Sequence, residues 1–250
     1  QQQYYSCLVP NLKGMQEACQ YQDKLHEVAI FASASETFSQ KNINCSISES
    51  IERFRPVVAL AKEPQNQTEQ PQPSFRVRGY VSCVLGCPYE GRIPVDQVID
   101  VTHQLLDELH CDEVSLGDTI GVGTPLGTTR LLKELINAGI PPSKLAVHFH
   151  DTYGQGLVNL YASLEEGIRT VDTSIAGLGG CPYAAGSATG NVATEDVVYS
   201  LEEGTGMETG VDLEKLVDVS EFVWEIMGKC NSKVATAMMA KRRKRRQDVF

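Results

Sequence analysis

Two histidines one residue apart are the first residues whose types and spacing could do chemistry. His148 and His150 end a short apolar run, residues 145–150, which we expect to form a β-strand. Because side chains alternate across a strand, both imidazoles should point to one side, with their Cα atoms roughly 6 to 7 Å apart. Two imidazoles at this spacing can bind one metal ion; a pair of ordinary strand-end histidines is the alternative.

A polar loop, residues 151–155, follows the two histidines and contains Gly154. Such a loop is typical of the point where a parallel strand passes into a helix. Chemistry in α/β proteins gathers at the carboxyl ends of parallel strands. A metal site is therefore expected at this edge of a sheet.

Six runs along the chain have the composition of strands, and each is followed by a polar or glycine-rich loop and a helical pattern. The predicted strands are residues 4–9, 27–31, 75–82, 113–116, 145–150 and 170–175. This repeat, roughly 30 to 45 residues long, indicates a parallel sheet with helical crossovers. The unusual residues lie in the loops after the strands, which favours an α/β fold of the (β/α)8 TIM-barrel type.

Composition narrows the class of protein. The chain has 250 residues, of which 42% are hydrophobic and 22% charged, as expected for one domain with a sizeable core. No apolar run approaches the roughly 20 residues that cross a bilayer, so we expect no membrane partner. The net charge of −10 argues against a nucleic-acid partner.

Residues 241–246 are all basic, and we interpret residues 231–250 as a flexible tail beyond a domain at 1–230. Nuclear targeting or RNA contact through this tail is the alternative.

The eight cysteines are scattered and include no C-x-x-C pair, which favours reduced, buried thiols. Gly177 and Gly179 start a dinucleotide-binding motif, but Pro182 stands at its last glycine position, so a Rossmann site is not expected.

Seven short motifs occur in order along the chain. They are Asn42-Ile43-Asn44-Cys45-Ser46, Gly79-Tyr80-Val81-Ser82-Cys83, Gly86-Cys87-Pro88-Tyr89-Glu90-Gly91, the stretch 115–125, His148-Phe149-His150-Asp151-Thr152-Tyr153-Gly154-Gln155, Gly177-Leu178-Gly179-Gly180-Cys181-Pro182-Tyr183-Ala184 and the stretch 190–196. Together they resemble the 3-hydroxy-3-methylglutaryl-CoA lyases, and the resemblance covers nearly everything from Pro10 to about Lys233.

The resemblance implies a (β/α)8 barrel that cleaves an acyl-CoA substrate, 3-hydroxy-3-methylglutaryl-CoA, into acetyl-CoA and acetoacetate with Mg²⁺ or Mn²⁺. It implies that His148, His150 and Asn191 are the metal ligands. It also implies catalytic roles for three residues. His148 lies where the hydroxyl proton moves, Cys181 gives a proton to the thioester enolate or helps to place it, and Asp118 is an active-site carboxylate.

Each assignment has a structural alternative. Asn191 would be a helix N-cap, Asp118 a loop cap, and Cys181 an inert thiol. Two functional alternatives remain as well. One is a condensing barrel of the homocitrate or isopropylmalate synthase type, which shares His-x-His and a downstream Asn. The other is a non-catalytic fragment that binds a partner.

The chain departs from the family in one respect. In these lyases the first strand ends in Arg-Asp-Gly, whose Asp is a metal ligand, and this motif is absent from the sequence. We therefore expect the chain to start at the family's third strand, with about six strand–helix units. We also expect weak metal binding and little lyase activity from this chain alone. The family further implies a homodimer and the mitochondrial matrix, with the cytoplasm as the alternative location.

Overall fold

A computed structural model of the protein describes residues 3–64, 75–180 and 190–247. Six strands form one parallel sheet whose order follows the chain. They are β1 (Tyr5–Leu8), β2 (Leu25–Ser33), β3 (Arg76–Ser82), β4 (Glu113–Asp118), β5 (Leu145–Phe149) and β6 (Thr170–Asp172). Consecutive parallel strands with helical crossovers are the arrangement of a TIM barrel. The prediction of about six such units is confirmed.

Nine helices surround this sheet within the described ranges. They are α1 (Leu12–Ala18), α2 (Glu36–Ile43), α3 (Ile47–Lys62), α4 (Val95–His103), α5 (Pro125–Asn137), α6 (Gly156–Glu165), α7 (Thr194–Thr205), α8 (Leu213–Met227) and α9 (Lys233–Gln247). Helix α3 begins with a capping box, in which Ser46 and Glu49 each accept a backbone N–H from the other. None of the described helices has the length and apolarity needed to cross a bilayer.

The strands separate the apolar core from the barrel interior by simple alternation. Val28 and Ile30 of β2 are buried in the main core cluster, which also contains Val57 of α3. Their neighbours Ala29 and Phe31 face the opposite side and line a cavity. The helices therefore pack on the outer face of the sheet, and side chains on the inner face line the cavity.

Residues 231–250, predicted to be a flexible basic tail, are described up to residue 247, and most of them form helix α9. Ala235 and Met239 are buried against Val217 of α8. Arg242 pairs with Glu214 and with Asp218, both on α8. The apolar residues before the basic run give this helix a packing face, which the interpretation based on charge alone did not consider.

Candidate active site

The two histidines lie together at the carboxyl end of β5. His148 belongs to the strand and His150 follows its last residue, Phe149. Their ring centroids are 5.2 Å apart. Both line a cavity of about 750 Å³ at the inner face of the sheet. The two imidazoles thus face one side, as the alternation of the predicted strand indicated.

A backbone carbonyl orients the ring of His150. Its Nδ1 atom lies 2.9 Å from the carbonyl oxygen of Asp118. Because a carbonyl only accepts, Nδ1 carries the hydrogen and Nε2 keeps its lone pair. Burial lowers the pKa of His150. The neutral imidazole that results is the form that binds a metal ion.

Asn191 is held beside His150 by the backbone. The two residues form an antiparallel bridge, and Val192 N–H donates to the carbonyl oxygen of Phe149 at 3.1 Å. Helix α7 starts at Thr194 after its N-cap Ala193. Asn191 therefore precedes the helix and is not its N-cap, which removes the structural alternative raised for this residue.

The amide of Asn191 is oriented with its oxygen unpaired. Nδ2 donates to the carbonyl oxygen of Leu178 at 2.8 Å, and the buried Oδ1 has no hydrogen-bond partner among the described residues. Gly179 permits this close approach, since a Cβ atom there would lie 2.8 Å from Nδ2. A buried oxygen without a partner is costly, and a divalent cation would satisfy it.

The donor set fits a divalent cation. Two imidazole nitrogens and one amide oxygen suit first-row divalent ions and leave coordination positions open for substrate oxygens. Within residues 3–64, 75–180 and 190–247, no group of three His, Cys, Asp or Glu side chains could hold a metal ion. His148, His150 and Asn191 line this cavity together, and their nitrogen and oxygen atoms are of the kinds that could hold such an ion.

Asp118 lies behind His150 at the end of β4. Its carboxylate accepts the backbone N–H groups of Val122 at 3.1 Å and Gly123 at 2.8 Å. The side chain is fully buried, and burial raises the pKa of Asp118 to about 6 against the opposing effect of these amides. This geometry is that of a loop cap, and through its carbonyl oxygen Asp118 also positions His150.

Cys181 lies outside the described residues. Gly180, which precedes it, is a lining residue of the cavity.

Sequence reasoning missed a polar cluster below His148 on the inner face. Arg78 forms ion pairs with Glu113 at 3.2 Å and Asp172 at 2.8 Å, and Ser115 Oγ donates to Asp172 at 2.7 Å. Burial would raise the pKa of Asp172, but the nearby His148 and Arg78 hold it below the usual value. The missed signal was the alternation of charged and apolar residues along β3 and β4.

Tyr80 completes this cluster. The guanidinium carbon of Arg78 lies 5.2 Å from the ring centroid of Tyr80, and this ring meets that of His148 edge-on at 6.4 Å. Burial, followed by the charge of Asp172, raises the pKa of Tyr80 to about 12. The phenol is therefore neutral at physiological pH, and its interaction with Asp172 ties it to this cluster.

Comparison with known proteins finds one family profile and several similar lyases. The HMGL-like family profile matches residues 1–223. A 3-hydroxy-3-isohexenylglutaryl-CoA/hydroxy-methylglutaryl-CoA lyase of Pseudomonas aeruginosa is 54% identical over 95% of this chain and 74% of its own length. The mitochondrial hydroxymethylglutaryl-CoA lyase of Arabidopsis thaliana is 55% identical over 92% of this chain and 46% of its own. The cytoplasmic 3-hydroxy-3-methylglutaryl-CoA lyase of Rattus norvegicus is 50% identical over 93% of this chain and 64% of its own length.

Solved structures agree. The hydroxymethylglutaryl-CoA lyase of Pseudomonas aeruginosa superposes with a TM-score of 0.85 at 51% identity, covering 96% of this chain and 77% of that one. An HMG-CoA lyase from Acinetobacter baumannii, in complex with coenzyme A and 3-methylmalate, superposes with a TM-score of 0.80 at 33% identity, covering 93% of this chain and 72% of that one. The chain thus spans between about half and three quarters of the relatives it matches. It belongs to the HMGL-like family.

Proposed function

We propose that this protein is a carbon–carbon lyase that cleaves 3-hydroxy-3-methylglutaryl-CoA to acetyl-CoA and acetoacetate, with Mg²⁺ or Mn²⁺ as its cofactor. The observation that carries the proposal is the unpaired Oδ1 of Asn191 beside the imidazoles of His148 and His150. Membership of the HMGL-like family supports the substrate class. Ketone-body formation and leucine degradation are the processes that use this reaction.

The cavity suits such a substrate. Its walls combine apolar side chains, such as Leu8 and Phe31, with the polar groups of Tyr80 and Ser82. Ligand sites commonly combine apolar walls with a few polar groups that fix orientation. The apolar walls would receive the methyl group and the acyl chain, and the polar groups the carboxylate and thioester.

When bound, a divalent cation polarises the tertiary hydroxyl group of the substrate. The hydroxyl proton passes to a base or water beside His148, the position that the family resemblance gives for this transfer. As that O–H bond breaks, the carbonyl of acetoacetate forms, the carbon–carbon bond breaks, and its electron pair passes to the thioester enolate. We assign to Cys181 the proton that converts this enolate to acetyl-CoA. The thiolate then recovers a proton from the site or from water.

The test is an acetoacetate assay with saturating Mg²⁺ or Mn²⁺ on the protein, whose own activity should be low because the Arg-Asp-Gly motif is absent, and on three variants. Asn191→Ala and Cys181→Ala should each lower kcat by at least 100-fold. The matched control is His103→Gln, since His103 pairs with Asp107 on the protein surface, and this variant should keep the activity of the unaltered protein.

Three outcomes would contradict the proposal. The first is full activity of Asn191→Ala. The second is condensation of acetyl-CoA with a 2-oxo acid without cleavage, which would favour the synthase alternative. The third is a protein that binds Mn²⁺ and converts neither 3-hydroxy-3-methylglutaryl-CoA nor 3-hydroxy-3-isohexenylglutaryl-CoA, which would favour a non-catalytic binding role.

We further propose a homodimer and a mitochondrial matrix location. Relatives with mitochondrial and cytoplasmic names both occur, so location is tested by fractionation of cells that express the native gene. Light scattering coupled to gel filtration tests the dimer. A monomeric mass at micromolar concentration would contradict the dimer.

A further inference from the structure

Asp172 connects three neighbouring strands beneath the two histidines. It ends β6, and its side chain is 15% exposed. Oδ1 lies 2.8 Å from Arg78 of β3, and Oδ2 accepts the hydroxyl hydrogen of Ser115 of β4 at 2.7 Å. On the third side, Oδ2 lies 3.5 Å from Nδ1 of His148 of β5. The carboxylate is thus fixed from two directions and faces the imidazole from a set position.

Asp172 is a nearby hydrogen-bond acceptor for the imidazole of His148. The Nδ1 atom of this imidazole is buried and makes no hydrogen bond to any part of the chain that the structure describes. Asp172 Oδ2, at 3.5 Å, lies about half an ångström beyond a normal N–H···O distance and is an acceptor that faces this nitrogen. A carboxylate only accepts, so the contact requires the hydrogen to be on Nδ1.

The two histidines would then be held in the same tautomer by different groups. His150 donates from Nδ1 to the neutral carbonyl oxygen of Asp118, whereas His148 would donate from Nδ1 to an anionic carboxylate. In metal sites a carboxylate behind a histidine fixes the orientation of the ring and makes Nε2 a more basic ligand.

We propose that Asp172 is the positioning residue of His148: its carboxylate accepts the Nδ1 hydrogen and presents the Nε2 lone pair to the divalent cation. The competing interpretation is that Asp172 only neutralises the buried charge of Arg78. The inference rests on the metal site proposed above. The experiment below distinguishes the positioning role from simple neutralisation of Arg78, and a failure of either from a failure of the metal site.

The chain offers a matched control for this experiment. Glu113 is the other carboxylate partner of Arg78, at 3.2 Å, and it accepts from Thr170 at 3.0 Å. It belongs to the same interior cluster as Asp172, but its recorded ion pair and hydrogen bond do not include His148. Asp172→Asn and Glu113→Gln each remove one negative charge from beside Arg78.

The first measurement is the affinity for Mn²⁺ alone, followed by electron paramagnetic resonance of the free ion. Asp172→Asn should weaken binding by 10- to 100-fold, and Glu113→Gln should stay within about twofold of the wild type. Equal losses in both variants, or no loss in either folded variant, would overturn the proposal. No Mn²⁺ binding by the wild type would instead overturn the metal site.

The second measurement needs neither metal nor a stable variant. Long-range nitrogen-15 NMR of the metal-free wild type reports the imidazole tautomers, and a His148→Gln spectrum assigns the His148 signals. Hydrogen on Nδ1 of His148 at neutral pH is the expected result. Hydrogen on Nε2 would overturn the positioning role even if Asp172→Asn failed to fold.

Discussion

The carbonyl oxygen of Asp118 lies 2.9 Å from Nδ1 of His150, so the end of β4 orients a side chain at the end of β5. The contact depends on strand pairing, because Asp118 is in register with Phe149, the residue before His150. A change that shifts the loop after β4 should therefore alter the orientation of His150 at the proposed metal site, although no residue of that loop is a proposed ligand.

The loop after β4 offers a test in Gly121. Its φ is +66°, and a Cβ atom there would lie 2.5 Å from Thr152 Oγ1 and 3.2 Å from His150 Cβ. Gly91 has nearly the same φ, +71°, with no atom within 4 Å of the added carbon. Both alanine variants carry the left-handed strain of about 1 kcal/mol, so the pair isolates the steric contact.

We expect Gly121→Ala to lower the free energy of unfolding by about 2 kcal/mol more than Gly91→Ala. It should also weaken Mn²⁺ binding, which Gly91→Ala should leave unchanged. Urea denaturation and Mn²⁺ titration measure the two effects. Equal stability and equal affinity of the two variants would contradict the role of this loop.

Asp118 should make stability depend on pH. Its pKa is raised from 3.8 to about 6 in the folded protein. Between these values the folded state retains a proton that the unfolded state has released, so the contribution of this group to stability falls as pH rises through that window. Asp118→Asn does not titrate. From pH 4 to pH 7, the unfolding free energy of the wild type should therefore fall by roughly 2–3 kcal/mol relative to that of Asp118→Asn.

Urea denaturation of both proteins in EDTA at several pH values measures this shift. Subtracting the two curves cancels the titration of all other groups. A difference that stays constant from pH 4 to pH 7 would show that Asp118 has an ordinary pKa.

Two buried thiols should be chemically inert in the native protein. Burial raises the pKa of Cys111 to about 12 and also raises that of Cys83. Because the thiolate is the reactive form, iodoacetamide at pH 8 should label both at least 100-fold more slowly than in urea-unfolded protein. Peptide mass spectrometry follows each site. Equal labelling rates in native and unfolded protein would contradict the burial.

Helix α9 should depend on Met239, which is 1% exposed. Met239→Ala removes buried volume against α8 and should destabilise this contact by about 2–3 kcal/mol. Hydrogen exchange of the α9 amides should become faster. Met227, which is 54% exposed, provides the control, since Met227→Ala should leave the exchange unchanged. Fast α9 exchange already in the wild type would favour the flexible tail.

The parts of the fold that local sequence encodes were predictable. Apolar runs followed by polar or glycine-rich loops gave six strands. Their boundaries moved by a few residues, as in β6, which ends at Asp172 rather than at the predicted residue 175.

The candidate site was predictable only in part. Alternation along one strand sufficed for His148 and His150. Asn191 became a neighbour of His150 through a backbone bridge between segments far apart in the sequence, and no local pattern indicates such pairing. The contact of Asp172 with His148 likewise depends on the register of β5 with β6.

The chain-order sheet has a consequence for synthesis on the ribosome. Each strand pairs with the one made just before it, so a nascent chain can add strands one at a time without waiting for a distant partner. The imidazoles of His148 and His150 emerge before the amide of Asn191. A translation intermediate that ends between residues 173 and 190 would hold all six strands with only two of the three proposed ligands, and full metal affinity would arise only after Asn191 has been made.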